Sequence, residues 1–482
     1  MRASLMWTLI YVNATKRHSA HGRLMKQSRS PFPASPFGPD SLSRSVPRYT
    51  SYPTAPHFDG GFSSETYERW LGELQRDAAI SLYLHIPFCD ELCWFCACRT
   101  QGSKMYYPVT RYLAQIEREI GRVAELTGGG QTVTQMHWGG GSPTVLAPGD
   151  IRRLARHVRE HFPGAVGAEF AVEIDPRDMT PDRVAAFADT GLTRASIGVQ
   201  DFDEAVQQAI GRHQGYEITR DVVAALRGIG VSGVNMDLLY GLPHQTEASI
   251  ARTIEQVVDI GPDRIALFGY AHVPWMAKRQ KMIDEAVLPG PEERQAQAAL
   301  AAAMLAEAGY TAVGIDHFAR PGDSLALARD DGSLKRNFQG YTVDPAEALI
   351  AFGASAIGFL PQGYVQNDPA TATYQLRIEN GGLASRRGCV LSLDDRIRRD
   401  AIQEILCQFR LDLDRLHLRY GDFTDPLRET AARLLAIAPE GALTPWRGGF
   451  TIADDWHSHT RLIAAEFDAY FKTQPARHSL AV

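Results

Sequence analysis

The chain has 482 residues, 44% of them hydrophobic and 22% charged, enough for a sizeable core and too many for one ordinary domain. Its 50 basic and 56 acidic residues leave a net charge of −6, which argues against a nucleic-acid binder. No apolar run reaches the roughly 18 residues of a spanning helix, so no membrane insertion is expected.

Residues 1–46 read as a disordered tail, with an excess of Lys and Arg and a proline patch at Pro31, Pro33, Pro36 and Pro39. Met6–Val12 is apolar but short, and no small-residue cleavage site follows it, so a secretory signal is not expected. The Arg/Ser bias leaves an organelle transit peptide open. A segment over 47–80 comes next, with Pro47-Arg-Tyr-Thr-Ser-Tyr-Pro-Thr54 and a short amphipathic helix over Ser64–Arg76. From Ser81 strands and helices alternate. Strands are predicted at Ser81–Ile86, Gln135–Trp138, Glu169–Ile174, Arg194–Val199, Gly233–Leu239, Arg264–Tyr270 and Tyr310–Ile315. Helical patterns fill the gaps at Val109–Leu126, Gly149–His161, Pro181–Thr190, Glu217–Ile229, Glu247–Ile260 and Glu292–Ala308. Such βα units imply a parallel sheet, open or curled into a barrel, with ligands at the carboxyl ends of its strands.

From about Gln375 helices prevail. Ser392 can cap Asp394–Phe409, a second helix covers Pro426–Ala436, and a hairpin at Ala442–Ile452 precedes a helix near His457–Phe471. This gives a mostly helical, winged-helix-like C-terminal domain over 375–482. Its mixed charge reads as a cover for the barrel rather than a DNA reader.

Four of the six cysteines fall in Cys89-Asp-Glu-Leu-Cys93-Trp-Phe-Cys96-Ala-Cys98, just after the first strand. Three thiolates at C-x3-C-x2-C can hold three irons of a [4Fe-4S] cluster and leave the fourth iron open to a small molecule. A structural zinc knuckle is the bland alternative, but such sites usually pair Cys units a dozen or more residues apart. Cys389 and Cys407 read as isolated core thiols. Clustered cysteines without a disulfide framework point to a reducing, cytoplasmic setting.

Other strand ends carry candidate ligand groups. His137-Trp-Gly-Gly-Gly-Ser-Pro-Thr144 brings backbone close to whatever binds there, though a plain tight turn reads the same. Glu173 ends one apolar strand and Asp237 lies in another, where a buried acid needs a partner such as a ribose diol or a salt bridge. Arg212, twelve residues after Gln200, suits a carboxylate or an ordinary ion pair.

The cysteine spacing resembles the radical S-adenosylmethionine (SAM) superfamily. Further segments narrow this: Pro47–Thr54, His85-Ile-Pro-Phe-Cys89, Cys98, Gly198–Phe202, Asp237–Pro243, Asp316-His-Phe-Ala-Arg-Pro321 and Arg336-Asn-Phe-Gln-Gly-Tyr-Thr342. Together, in order from about residue 47 to the C-terminus, they resemble the oxygen-independent coproporphyrinogen III oxidase family. The resemblance implies a partial (β/α)6 TIM-like radical SAM barrel, of the α/β class, over 81–374. It implies one [4Fe-4S] cluster on Cys89, Cys93 and Cys96, with Cys98 outside the ligand set, and two SAM molecules. Tyr83, Gly140, Glu173 and Ile357 match positions around the SAM on the cluster. Phe95, Gly141, Ser142, Gln200, Arg212, Asp237 and Ala271 match positions around the second. Phe338 and Gln339 match a functionally important pair. Tyr83, Glu173, Cys98, Phe338 and Gln339 are thereby the expected catalytic residues.

The implied reaction begins with reductive cleavage of SAM to a 5′-deoxyadenosyl radical. That radical takes a hydrogen from a propionate, which then loses CO2 and one electron to become a vinyl group. Two such steps turn coproporphyrinogen III into protoporphyrinogen IX. A flavodoxin- or ferredoxin-like reductant is implied, and a monomer is expected. Arg48, Arg212, Arg320 and Arg336 are candidates for the substrate's propionates. A haem-binding carrier on the same scaffold, or a plain electron-transfer iron–sulfur protein, are the rival readings.

Overall fold

A computed structural model describes residues 35–38 and 41–473; most of the expected tail lies outside the described residues. Twelve strands form the principal sheet. Six follow one another in parallel: β1 (Ala79–Ile86), β2 (Thr132–Gly140), β3 (Glu169–Ile174), β4 (Arg194–Gln200), β5 (Gly233–Tyr240) and β6 (Arg264–Gly269). Six of the seven predicted strands fall on these, one on each. The period-2 pattern explains the arrangement. Leu82, Leu84, Ile86, Met136, Trp138, Phe170, Val172, Ile197 and Met236 are fully buried on one face, in the main core. The alternate positions are polar or small and stay partly open: Tyr83, His137, Glu173, Ser196 and Asp237. The strands thus bury an apolar face and turn a polar one toward the concave side.

Both ends of the sheet depart from the parallel pattern. Beyond β6 lie β7 (Thr311–Val313) and β8 (His317–Ala319), both antiparallel. The predicted strand Tyr310–Ile315 is therefore one arm of a short hairpin, not a seventh parallel unit. Only residues 314–316 separate the two arms, whereas a parallel crossover needs a dozen or more. At the other end β9 (Ala348–Phe352) runs parallel to β1. A meander of β10 (Ile357–Leu360), β11 (Gly363–Asn367) and β12 (Ser385–Val390) completes the sheet. The change to helices therefore comes at Leu393 rather than near Gln375. The strand order β12-β11-β10-β9-β1-β2-β3-β4-β5-β6-β8-β7 leaves two free edges, so the barrel is partial.

Ser392 and Asp395 form a capping box on Leu393–Gln408, as the sequence pattern predicts at that end. Helices Leu413–Tyr420 and Asp425–Ile437 follow, with a small sheet of Arg410–Asp412, Leu443–Trp446 and Gly449–Ile452. The helix expected near His457–Phe471 is divided into Thr460–Ala465 and Ala469–Thr473. Asp468 is the cause, since its carboxylate accepts the N–H groups of Tyr470 and Phe471 at 2.8 and 3.0 Å and starts a new turn. The same carboxylate accepts Tyr49 Oη–H at 3.0 Å, and Tyr52 Oη accepts the Ala469 N–H at 3.0 Å. The Arg-Tyr-Thr-Ser-Tyr motif is thereby stapled to the C-terminal core, which also buries Val46. The helix predicted over Ser64–Arg76 ends early, at Gly72.

Candidate active site

The cysteine loop leaves β1 and is fixed by main chain on both sides. Gly141 N–H donates to Ile86 O at 2.8 Å, Ser142 N–H to Phe88 O at 2.7 Å, and Gln101 N–H to Pro87 O at 2.8 Å. The three glycines at and just past the end of β2 are required by this close approach. A Cβ on Gly139 would lie 2.5 Å from Glu173 Oε1, and one on Gly141 would lie 2.4 Å from Phe88 O. Gly140 has φ of +110°, and a Cβ there would meet the His85 ring at 2.4 Å. What the sequence left as a possible plain turn is a packed seam between two strand ends.

One cavity at these ends is lined by Cys89, Cys93, Cys96 and Cys98. Gly140, Gly141, Ser142, Phe95, Glu173, Gln200, Arg212 and Asp237 share the same cavity. Tyr83 stands behind it: its hydroxyl meets His85 Nδ1 at 3.1 Å and its ring packs on His137. Burial, then the charge of Glu173, push the Tyr83 phenol well above its usual range, so it stays a neutral donor. The Ala271 carbonyl accepts from Gln280 Nε2 at 3.0 Å, and the same nitrogen donates to Phe95 O at 2.7 Å. Phe338 and Ile357 belong to an apolar cluster around Tyr364. Phe338 and Gln339 form the tip of the hairpin Lys335–Asn337/Gly340–Thr342 and do not line the cysteine cavity.

The two strand-end acids differ. Glu173 accepts the Gly140 N–H at 2.8 Å and faces His137 Nε2 at 3.3 Å. Burial would raise its pKa, but the His137 hydrogen bond and charge and the Gly140 N–H outweigh it and hold the carboxylate ionised. Its side chain keeps 39% of its surface open. Asp237 accepts from Asn235 Nδ2 at 2.8 Å and Ser196 Oγ at 3.2 Å. Burial dominates there and pushes its pKa up.

Arg212 is committed within the protein. Its Nη1 reaches Asp175 Oδ2 at 3.1 Å and Cys93 Sγ at 3.4 Å, and its Nη2 donates to Gly198 O at 2.7 Å. Arg177 pairs with the same Asp175 at 2.7 Å and lies 3.7 Å from Cys93 Sγ. Two guanidinium groups thus reach the same sulfur. Cys98 N–H donates to Cys96 Sγ at 3.4 Å. The Cys98 thiol, also bonded to Cys96, lowers the Cys96 pKa while its own rises. The two cysteines next to each other thus have unequal roles, one as acceptor and one as donor. Sequence reasoning missed Asp175, Arg177 and two supports: Gln280, and Arg279, whose Nη2 donates to Cys98 O at 3.3 Å and Thr100 Oγ1 at 2.7 Å. Asp175 and Arg177 sit beside Glu173 in the sequence and were within reach. Arg279 and Gln280 carry no local signal. Of the isolated thiols, Cys407 is buried and Cys389 is half-buried.

A loop offering three soft sulfurs to one cavity, against a glycine seam and an ionised glutamate, matches the donor set of a three-cysteine iron–sulfur cluster with one open iron. Among the described residues no group of three or more His, Cys, Asp or Glu is set to hold a single metal ion. A cuboidal cluster needs no such convergence, because each thiolate takes its own iron. These features define a radical SAM protein, and a family model described as the Radical SAM superfamily matches residues 83–257. The superfamily's cofactors are a [4Fe-4S] cluster and SAM.

The chain is 46% identical to an oxygen-independent coproporphyrinogen III oxidase of Cereibacter sphaeroides, covering 90% of this chain and 96% of that one. It is 38% identical to that of Escherichia coli K12, over 90% and 94% of the two chains. The solved coproporphyrinogen III oxidase (HemN) from Escherichia coli, described as a radical SAM enzyme, superposes with a TM-score of 0.84. That match has 36% identity and covers 89% of this chain and 100% of that one. The chain belongs to the oxygen-independent coproporphyrinogen III oxidase family, whose members are radical SAM oxidoreductases.

Proposed function

We propose that this chain converts two propionate side chains of coproporphyrinogen III to vinyl groups without oxygen, giving protoporphyrinogen IX for haem synthesis. The observation that carries the reading is the single cavity shared by the Cys89, Cys93 and Cys96 sulfurs, the Gly140–Gly141 seam and Glu173. The names of relatives matched along nine-tenths of the chain supply the substrate. When bound, cluster and SAM together supply a carbon radical able to take a hydrogen atom from an unactivated carbon. Each propionate gives up that hydrogen atom, CO2 and one further electron, which passes to an external acceptor.

Cys89, Cys93 and Cys96 hold the cluster in this reading, and Cys98 supports Cys96 from outside. Glu173 and Gly140 take the SAM on the open iron, with Tyr83 and Ile357 behind them. Phe95, Gly141, Ser142, Gln200, Arg212, Asp237 and Ala271 surround a second SAM. The support for two molecules is a pair of acids on β3 and β5, two strand spacings apart, about 10 Å. Phe338 and Gln339, on their hairpin tip, position the substrate.

An electron must enter from outside. A second cavity lies on the other side of the cysteine loop and shares Cys96, Cys98, Thr100 and Arg279 with the first. Its lining includes Arg99, Lys278 and Arg279 and no carboxylate. This suits an acidic flavodoxin- or ferredoxin-like carrier. All these parts come from one chain, which supports action as a monomer. The cysteines are free thiols, which suits the cytoplasm. No described helix is long and apolar enough to cross a membrane.

The test is anaerobic reconstitution, then SAM, reductant and coproporphyrinogen III, following protoporphyrinogen IX and 5′-deoxyadenosine together. Matched formation supports the reading. SAM cleavage without vinyl product would reject the substrate. An intact cluster with no cleavage would favour a haem-binding carrier.

A further inference from the structure

Gln280 has no local sequence signal, yet it is a polar residue held at 1% exposure beside the cysteine loop. It lies on the turn Lys278–Met282, in the segment that follows β6. Its N–H donates to Ala277 O at 2.9 Å, and the Ile283 N–H donates to Gln280 O at 3.1 Å. Ile283 is buried with Val206, Ile210, Leu242 and Tyr270, and Phe95 packs on the same cluster. The backbone of Gln280 is thus anchored before its side chain makes any bond.

The side-chain amide makes three hydrogen bonds, all to main chain. Its Oε1 accepts the Val273 N–H at 2.5 Å. Its Nε2 donates to Phe95 O at 2.7 Å and to Ala271 O at 3.0 Å. These partners fix which way the amide points, because the N–H needs the oxygen and the two carbonyls need the two N–H groups. One nitrogen therefore ties Phe95, which stands between Cys93 and Cys96, to the segment leaving β6. None of the three bonds reaches a cysteine. The loop has separate supports in Trp94 N–H to Ile210 O at 2.8 Å and Arg279 Nη2 to Cys98 O at 3.3 Å.

The geometry points to Gln280 as a positioning residue for the second SAM. Its amide sets the spacing between Phe95, which lines the cysteine cavity, and Ala271, so that both flank one ligand. This rests on the reading above that two SAM molecules bind. Removing the amide leaves two carbonyls and one N–H without their partner, and nothing in its place sets that spacing. The cysteines keep their own supports, so the cluster and the SAM on its open iron should be spared.

The test is anaerobic equilibrium binding of SAM to the reconstituted full chain, with the cluster left oxidised so that SAM is not cleaved. SAM is counted per cluster, and its effect on the cluster's spectrum is recorded alongside. The wild type should bind two. Gln280→Met keeps the length and removes the amide. It should keep its iron and the spectral response, while the second SAM binds about 10-fold or more weakly. Gln280→Glu keeps an acceptor for Val273 but turns an oxygen toward the two carbonyls, and it should weaken the same site. Melting curves by circular dichroism identify a variant that fails to fold, in which case the other decides. Failure of both to fold would make Gln280 a folding residue and overturn the positioning role. Two sites of wild-type affinity in the folded variants would overturn it as well. So would loss of both sites together with the spectral response, since Gln280 would then support the whole loop. One SAM per cluster in the wild type would overturn the two-SAM reading, and this assignment with it.

Discussion

The cysteine cavity and an arginine cavity, lined by Arg48, Arg336 and Arg461, open at the same end of the sheet but are assembled by different means. The first is largely main chain, where carbonyls of Ile86 and Phe88 meet N–H groups of Gly141 and Ser142, and glycines sit where no Cβ fits. The second is made by long side chains from residues 48, 336 and 461, carried by three separate parts of the fold. Backbone built this tightly cannot adapt, so a substitution there should break the cavity outright. A wall of long side chains yields in steps as each is replaced.

The largest expected effect separates two neighbouring cysteines. Cys93→Ser should lose cluster iron and all SAM cleavage after reconstitution, whereas Cys98→Ser should keep its iron. Iron and sulfide analysis reads both, and equal losses would reject the three-ligand assignment. Next comes Gly140→Ala. Its left-handed backbone costs an alanine about 1–3 kcal/mol before the clash with His85 is counted. The expected outcome is a lower melting temperature together with poor cluster uptake. Normal uptake would show that the seam adapts, and the contrast between the cavities would fail. Glu173→Ala should leave iron in place but cut deoxyadenosine formation about 100-fold, in line with removal of a preorganised electrostatic partner. An unchanged yield would take Glu173 out of the SAM site.

A smaller effect is expected outside the cysteine loop. Lys278→Glu should slow turnover several-fold with flavodoxin as reductant and steepen inhibition by salt, while dithionite, a small reductant, should still support turnover. An equal loss with both reductants would place Lys278 in the folding of the loop instead of in docking.

The difference between the cavities also explains what the sequence shows. Each of the six parallel strands could be read, because its apolar alternation is local. The cysteine loop, the glycine run and the strand-end acids were legible for the same reason, each being contained in a few consecutive residues. The arginine cavity was only half visible. Arg48 and Arg336 could be picked as candidates, but so could Arg212 and Arg320, and only tertiary contacts show which of them meet. Arg461 lay within a segment read as one continuous helix, although Asp468 breaks it by accepting the N–H groups of Tyr470 and Phe471. The meander β10–β12 was missed because its short strands and hairpin returns carry little periodicity over so few residues.

One support of the cysteine cavity is a titratable side chain, which gives the contrast a pH test. Glu119, on the helix Tyr107–Thr127, is buried and accepts from Gly353 N–H at 2.8 Å, Asn367 Nδ2 at 2.7 Å and Tyr374 Oη at 2.8 Å. Gly353 and Ala354 in turn pack on Tyr112, whose hydroxyl donates to His85 O at 2.7 Å just before the cysteine loop. Burial pushes Glu119 up to about 7 against its three donors. Between the unfolded value near 4.3 and about 7 the folded state therefore holds more protons than the unfolded chain. Stability contributed by this group is present at low pH, falls as pH rises through that window, and levels off above it. Glu119→Gln keeps the shape and removes the titration. Its melting temperature should change less from pH 5.5 to 7.5 than that of the wild type, by roughly 1–3 °C. Parallel curves would mean that the donors keep Glu119 ionised throughout, and that the cavity's support is indifferent to pH.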